Sequence, residues 1–520
     1  MSIPEKYAGP TLAVIVTAIA LAVARKKWAS KHSPYPPGPK GYPIIGNLFD
    51  SPENPMWEGL TKMAKEYDTN ILHLNTMGSH LVVLNNSDVA ADLLERRSVI
   101  YSDRPRLPMV NELMGCSWSF VLMPYGSTWR RHRKLFHRFF NIPAVDQFDD
   151  KIYKAVDVFL RRLSESPERF LNHARFLSCS LTLSVSYGVN VESENDKFYS
   201  LSEDAMRAVD VALVPGAFLV DALPVLKYVP EWFPGAGFKR IGRIAKENLD
   251  RSINLPFRHV KESFEVREPY FSSSGWLTGT NSRRKISLLC HGIDEEAIRG
   301  AGGAIFLGGE ETTTSIIMSF FLAATLNPEV VRLAQQEMDE VLGGVRLPDV
   351  SDRPRLPYTS AVVKEVLRWR PPNPLGTPHR LMEDDTYNGL LIPAGATVMD
   401  NVWYVCRRCA VTNRCILMHT FKPDRFLKDG QINPDVRDPE QLLFGWGRRI
   451  CPGRHFAARV LFMTIARTLA TFDISKCLDE DGNPIVPDAK YTHGFISYPL
   501  PFRSDIKPRS TQALSLVPGH

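Results

Sequence analysis

Cysteine is scarce: eight residues, Cys116, Cys179, Cys290, Cys406, Cys409, Cys415, Cys451 and Cys477, are spread irregularly over 520 positions. So few and so uneven thiols exclude a disulfide scaffold, and the compartment facing the main body reads as reducing. Charge of one sign is also lacking. Lys and Arg number 63 against 57 Asp and Glu, a net +6 that is too weak and dispersed for a nucleic-acid-binding surface, although a locally basic docking face fits it. No internal repeat or long low-complexity tract is present, which excludes a solenoid. With 44% apolar residues the chain can bury a substantial core. A rule of ~150 residues per domain would divide it in three, but one large domain is expected.

Long apolar runs are equally few. Residues 8–24 form one, broken by little more than Thr11 and Thr17, and Arg25, Lys26, Lys27 and Trp28 follow directly. A membrane span needs roughly 17 to 25 residues, so this run is short but sufficient for a thin endoplasmic reticulum bilayer. A cleaved signal peptide carries its basic flank before the apolar run, whereas here it comes after. The expectation is therefore an uncleaved single-pass anchor at residues 1–28, with the main domain on the cytoplasmic side.

Residues 29–45 hold Ser33-Pro34-Tyr35-Pro36-Pro37-Gly38-Pro39, a stiff extended spacer that leads into a domain over residues 46–520. In that domain Ile71, Leu72, Leu74 and Leu81 to Leu84 flank Met77-Gly78-Ser79, which predicts two strands joined by a tight turn. From about Ser87 to Asn327 the pattern is mostly helical, and strands return around residues 387–398 and 491–502. The fold class is mainly α with a small β region. The longest predicted helix has Asp294 as N-cap and ends at Asn327-Pro328, on the order of 50 Å at ~1.5 Å per residue. Five glycines lie in it, at 300, 302, 303, 308 and 309. Each costs up to ~1 kcal/mol against alanine, so close approach of another helix or a flat ligand is expected there.

Phe444-Gly445-Trp446-Gly447-Arg448-Arg449-Ile450-Cys451-Pro452-Gly453 places glycines on both sides of one cysteine, so that backbone amides and a planar ligand can approach its sulfur. Pro452 fits the first position of a helix through Phe456, Val460, Leu461, Ile465 and Leu469, which would put Cys451 at the N-cap and favour its thiolate. A buried structural cysteine is the commoner fate of a lone thiol. Here, however, the phenylalanine, glycines, arginine and cysteine together resemble the haem-binding signature of the cytochrome P-450 family, and most closely its microsomal fungal members. The resemblance runs from the proline-rich spacer to Pro499-Leu500-Pro501-Phe502. It implies a membrane-anchored P-450 fold with haem b, whose iron takes Cys451 as proximal ligand.

Gly308-Gly309-Glu310-Glu311-Thr312-Thr313 resembles the family's oxygen-activation motif, with Gly308 where alanine is more usual. The resemblance implies Glu311 and Thr312 as acid and alcohol of a proton relay. The alternative, a polar patch on a solvated face, conflicts with the flanking Ile305, Phe306, Ile316 and Ile317. Glu365 and Arg368, three apart, could be an ordinary helix pair. With Phe421-Lys422-Pro423-Asp424-Arg425-Phe426 following, the resemblance makes Glu365, Arg368 and Arg425 a buried structural triad. It also implies Trp129, Arg133, His379 and Arg449 as donors and cations for the haem propionates. Arg130, Arg131, His132, Lys134 and Arg138 around Trp129 fit a docking face for an acidic redox partner, although a solvated helix face would look similar.

The chain departs from the family between Trp403 and Phe421, where Arg-Asp-Pro and a short acidic loop give way to Arg407-Arg408-Cys409-Ala410 and a longer run up to His419. Cys406, Cys409, Cys415 and His419 could be read as a zinc site. A reading-frame or exon-boundary error explains the local loss of pattern better, because normal sequence flanks it. The segment at residues 272–291 is also unusual. The expected activity is insertion of one atom of dioxygen into a small apolar organic substrate, with electrons from NADPH through a cytochrome reductase, in secondary metabolism or xenobiotic oxidation. A haem-thiolate isomerase or dehydratase would not need the Glu311-Thr312 pair. A haem electron carrier would want two protein ligands or a Cys-x-x-Cys-His attachment, and neither is evident.

Overall fold

A computed structural model describes residues 33–266, 295–409 and 419–519. The apolar run at 8–24, Asp294, the unusual segment at 272–291 and most of the departure after Arg408, Cys415 included, lie outside the described residues. Among the described residues no single helix is long and apolar enough to cross a membrane.

The helices that matter below are α1 Met56–Glu66, α2 Ser127–Phe140, α3 Asp149–Glu165, α4 Phe170–Tyr187, α5 Ser200–Ala212, α6 Gly237–Val266, α7 Glu295–Leu326, α8 Pro328–Leu342, α9 Pro357–Trp369, α10 Val402–Cys409 and α11 Arg454–Thr471. The strands are short: β1 Ile71–Thr76, β2 Ser79–Leu84, β3 His379–Arg380, β4 Asp385–Tyr387, β5 Leu390–Ile392, β6 Thr397–Asp400, β7 Leu427–Lys428, β8 Gln431–Ile432, β9 Phe472–Ser475 and β10 Asp505–Pro508. The fold is mainly α, as expected.

The predicted hairpin forms with Ile71 opposite Leu84 and Thr76 opposite Ser79. Met77 and Gly78 both take positive φ, 51° and 87°, which is the backbone a two-residue hairpin turn requires. β2 then pairs parallel with β6, and β3 closes a sheet ordered β1-β2-β6-β3. The proline segment bridges two sheets: Pro37 O accepts from the His73 N–H on β1, and Pro34 O from the Leu391 N–H on β5 of the β4-β5 hairpin. Near the C-terminus the expected strand at 491–502 is a correction. That segment folds as a tight loop held by one bridge, Tyr491 to Pro499, and the paired strand is β10, against β9. Prolines at 499 and 501 remove the donors that a longer ladder would need.

Helix α7 is the axis of the molecule, and α2, α4, α6, α9 and α11 pack on it. Its aromatic side builds the core: Phe321 lies 6.2 Å from Phe159, 5.2 Å from Phe170 and 5.3 Å from Phe320, ring centre to ring centre, all four buried. The glycines have the expected reason. A Cβ at 302 would lie 2.9 Å from Tyr187 Cε1, at 303 2.8 Å from Ile253 Cγ2, and at 309 2.9 Å from Thr182 Cγ2, so α4 and α6 approach to backbone distance. At Gly308 a Cβ would meet nothing within 4 Å. That position faces open space.

Candidate active site

The cysteine loop is closed by backbone geometry. Gly445 and Gly447 take φ of 77° and 52°, and a Cβ at 447 would come 2.5 Å from Leu94 O, so only glycine fits there. The Cys451 N–H donates to Phe444 O at 2.7 Å, and Arg133 Nη1 donates to Ile450 O at 2.6 Å. From the other side Trp446 Nε1 donates to Asp400 Oδ2 at 2.7 Å. Strand β6, helix α2 and the loop itself thus hold the residues around the sulfur.

Two expectations about Cys451 need correction. Helix α11 starts at Arg454 with Gly453 as N-cap, so Cys451 and Pro452 belong to the turn before it. Gly453 O accepts the first helical hydrogen bond, from the Ala457 N–H at 2.8 Å, and the Gly453 N–H, free at a helix start, faces the sulfur. Nor is the thiol acidified on balance. Burial pushes its pKa up, and the Gly453 N–H, Arg133 and Arg454 pull it down by less. Part of the sulfur's residue surface nonetheless remains open, and Cys451 makes no disulfide.

The propionate candidates converge only in part. The Arg449 guanidinium stacks 4.5 Å over the ring of Trp129, while its Nε, Nη1 and Nη2 donate to Ser102 O, Phe120 O and Met123 O. Most of its hydrogen-bonding capacity therefore clamps backbone. His379 is buried, with Nδ1 2.8 Å from Tyr101 O, and its pKa lies well below the usual value because of burial, with Arg104 and Arg449 nearby adding to the effect. In the neutral ring Nδ1–H donates to that carbonyl, so Nε2 accepts. It can hold a carboxylate only after taking a second proton. Trp129 Nε1 is buried without a partner. Sequence reasoning passed over Arg104, a buried guanidinium that donates to Val121 O, Thr377 O and Pro378 O and joins the two halves of this wall. Only its place between Asp103 and Pro105 hinted at it.

On α7 burial is interrupted at Ala304, Gly308 and Thr312, spaced by one turn, with Gly309 beside them. Such an open stripe on a core helix is a cradle. Thr312 donates its hydroxyl to Gly308 O at 2.9 Å. Glu311 points elsewhere: its carboxyl is buried and contacts the hydroxyl of Tyr498. Burial, then the neighbouring Glu310, push the Glu311 pKa well above the carboxylate range, against the pull of Arg175. Burial does the same to Glu310. Acid and alcohol are therefore adjacent in sequence but face different surroundings.

Glu365 and Arg368 are fully buried: Arg368 Nε and Nη2 donate to Glu365 Oε2 and Oε1 at 2.7 and 2.9 Å, and Arg425 Nε donates to Oε1 at 3.1 Å. The triad is as expected. The described residues hold no cluster of three or more metal-ligating side chains; of the zinc reading, Cys415 lies outside them. On α2, Arg130, Arg131, Lys134 and Arg138 are exposed, but His132 is buried with Nδ1 3.0 Å from Thr128 O, which removes it from the expected docking face.

A comparison with known families matches residues 36–503 to Cytochrome P450. A cytochrome P450 monooxygenase of Armillaria gallica is 38% identical over 98% of both chains. Another, from Rhodocybe pseudopiperita, is 39% identical over 98% of this chain and 96% of its own. A tryptamine 4-monooxygenase of Psilocybe cyanescens is 36% identical over 94% and 96%. The chain belongs to the cytochrome P450 family. Cytochrome P450 proteins bind haem iron through a cysteine thiolate, haem b being the standard form, and act as monooxygenases. The residues present fit that group. Cys451 offers a sulfur on a glycine-opened loop, the stripe at 304, 308 and 312 leaves room for a flat ligand, and the unpartnered Trp129 Nε1 wants an acceptor.

Proposed function

We propose that this cytochrome P450 inserts one oxygen atom into a C–H bond of a small apolar organic molecule, with Cys451 as the iron's thiolate ligand. The observation that carries this is the pairing of a closed cysteine loop with an open stripe on an otherwise buried helix at Gly308 and Thr312. When bound, the haem supplies reduction and cleavage of dioxygen, which thiolate ligation favours. The chain's residues do the rest. Gly453 N–H, Arg133 and Arg454 stabilise negative charge on the sulfur, and Trp129 Nε1 and Arg449, with His379 once its Nε2 takes a proton, would hold the propionates. Thr312 would orient a proton donor in the groove beside Gly308, and Glu311, kept protonated at neutral pH by burial, would supply the proton.

Electrons would come from NADPH through a cytochrome reductase whose acidic face meets Arg130, Arg131, Lys134 and Arg138 on α2. Two features support a single-pass endoplasmic reticulum anchor with the domain on the cytoplasmic side: the apolar run at 8–24 with its following cations, and an exposed apolar surface between α5 and α6. There Leu219, Val225, Tyr228 and Phe233 are exposed and Trp232 is 81% exposed. Fungal secondary metabolism is the setting that the relatives suggest. The tryptamine enzyme supports a small organic substrate. The test is the absorption spectrum of the reduced, membrane-bound full chain under carbon monoxide. The red-shifted Soret band of thiolate ligation is expected, and Cys451→Ala should abolish it; a normal band in that variant refutes the assignment.

A further inference from the structure

The polar residues on one face of α7 are not directed at the open stripe. Glu311, Ser315 and Ser319, each one turn from the next, all meet the C-terminal loop between Tyr491 and Pro499. Tyr498 reaches the Glu311 carboxyl and lies 3.2 Å from the Glu311 backbone oxygen. Ser315 Oγ donates to Ser497 O at 2.5 Å, and Tyr491 Oη donates to Ser319 Oγ at 3.0 Å. The loop is itself fixed. Thr492 and Tyr498 exchange hydrogen bonds, Thr492 N to Tyr498 O at 2.8 Å and Tyr498 N to Thr492 Oγ1 at 2.9 Å. Asp210 on α5 accepts from the Ile496 N–H at 2.6 Å, and Pro372 O from the Ser497 N–H at 2.8 Å. A loop so anchored places the Tyr498 hydroxyl with little freedom.

We infer that Tyr498 is the positioning residue for Glu311: from the C-terminal loop it holds the carboxyl that serves as the proton donor of the groove. This rests on the reading of Glu311 given above. The groups facing the carboxyl are Glu310 on its own helix, Arg175 on α4, Glu203 and Asp210 on α5, and Tyr498. Arg175 lies 5.8 Å from the centre of the Tyr498 ring and 3.8 Å from Glu203, on a more exposed side. One partly buried cation, shared with Glu203, thus faces two adjacent buried carboxyls, which favours at least one retained proton. A tyrosine hydroxyl donating to Glu311 decides where that carboxyl sits and offsets part of the burial cost of its ionised form.

The test compares Tyr498→Phe, Glu311→Gln and the double variant, with Tyr491→Phe as control for loosening of the same loop, all as full-length haem protein with reductase. Two quantities are read: the ratio of product to peroxide, and the pH midpoint of the protonated-carboxyl infrared band that Glu311→Gln removes. In Tyr498→Phe the ratio should fall about tenfold, as one lost hydrogen bond to a carboxyl predicts, and the band's midpoint should move to higher pH because the ionised form loses a donor. Tyr491→Phe should change neither, and the double variant should be no worse than Glu311→Gln. If Glu311→Gln leaves the ratio unchanged, Glu311 is not the proton donor and the underlying reading fails. If Glu311→Gln lowers the ratio while Tyr498→Phe moves neither quantity, or Tyr491→Phe moves both equally, Tyr498 does not position Glu311.

Discussion

Asp400, at the end of β6, is a buried carboxyl with only one satisfied oxygen: Oδ2 accepts from Trp446 Nε1 at 2.7 Å, and Oδ1 has no partner. Burial pushes its pKa up to about 7, with the Trp446 hydrogen bond opposing. In the unfolded chain an aspartate titrates near 3.9. Between those values the native state binds a proton that the unfolded state has released. Stability should therefore fall as pH rises from about 4 to about 7 and stay level above that. Three pKa units at about 1.36 kcal/mol each set an upper bound of about 4 kcal/mol, and water reaching the site would reduce it to about half of that. Asp400→Asn removes the titration and keeps an oxygen for Trp446. The variant should unfold at a higher denaturant concentration than the wild type at pH 8, by about 2–4 kcal/mol, and the gain should shrink to about 0.5 kcal/mol at pH 4. Circular dichroism in urea at the two pH values measures it. An equal gain at both would refute the reasoning, because a packing effect has no reason to depend on pH.

Thr312→Ala should lower product formation more than NADPH consumption, with the difference appearing as peroxide or excess water, because the hydroxyl beside Gly308 O orders a proton donor and does nothing for reduction. Equal falls in both would make Thr312 a packing or substrate-contact residue. Glu365→Gln keeps the side-chain shape but leaves the buried Arg368 and Arg425 without their carboxylate, so a loss of about 3–5 kcal/mol in urea unfolding is expected. A loss below about 1 kcal/mol would show that other partners carry those two cations.

What could be read from sequence was what local rules determine. The hairpin from Ile71 to Leu84 followed from alternation around Met77-Gly78, and the two positive φ values there are the reason that turn works. The glycines of α7 announced close approach, and Tyr187, Ile253 and Thr182 are what approaches. The Cys451 loop, Thr312 and the Glu365 triad were visible as motifs. The start of α11 differs from the expectation because proline at a first helical position is a general backbone preference, whereas here Gly453, two residues after Cys451, takes the N-cap. His132 was counted with its basic neighbours although its position faces inward beside Trp129. Arg104 and Tyr498 were missed for a deeper reason. Their partners lie far along the chain, Arg104 with Thr377 and Pro378, Tyr498 with Glu311, so nothing near either residue marks it.

The long helix explains why these distant contacts fall where they do. α7 has three faces with different duties: glycines packed against α4 and α6, an open stripe at 304, 308 and 312, and a polar line at 311, 315 and 319 bonded to the C-terminal loop. Residues 311 and 312 sit about 100° apart on the helix, so the acid falls on the bonded face and the alcohol on the open one. The adjacency of Glu311 and Thr312 thus matters less as proximity than as a division: the carboxyl is kept in a buried site that raises its pKa, and the hydroxyl is left on the open stripe.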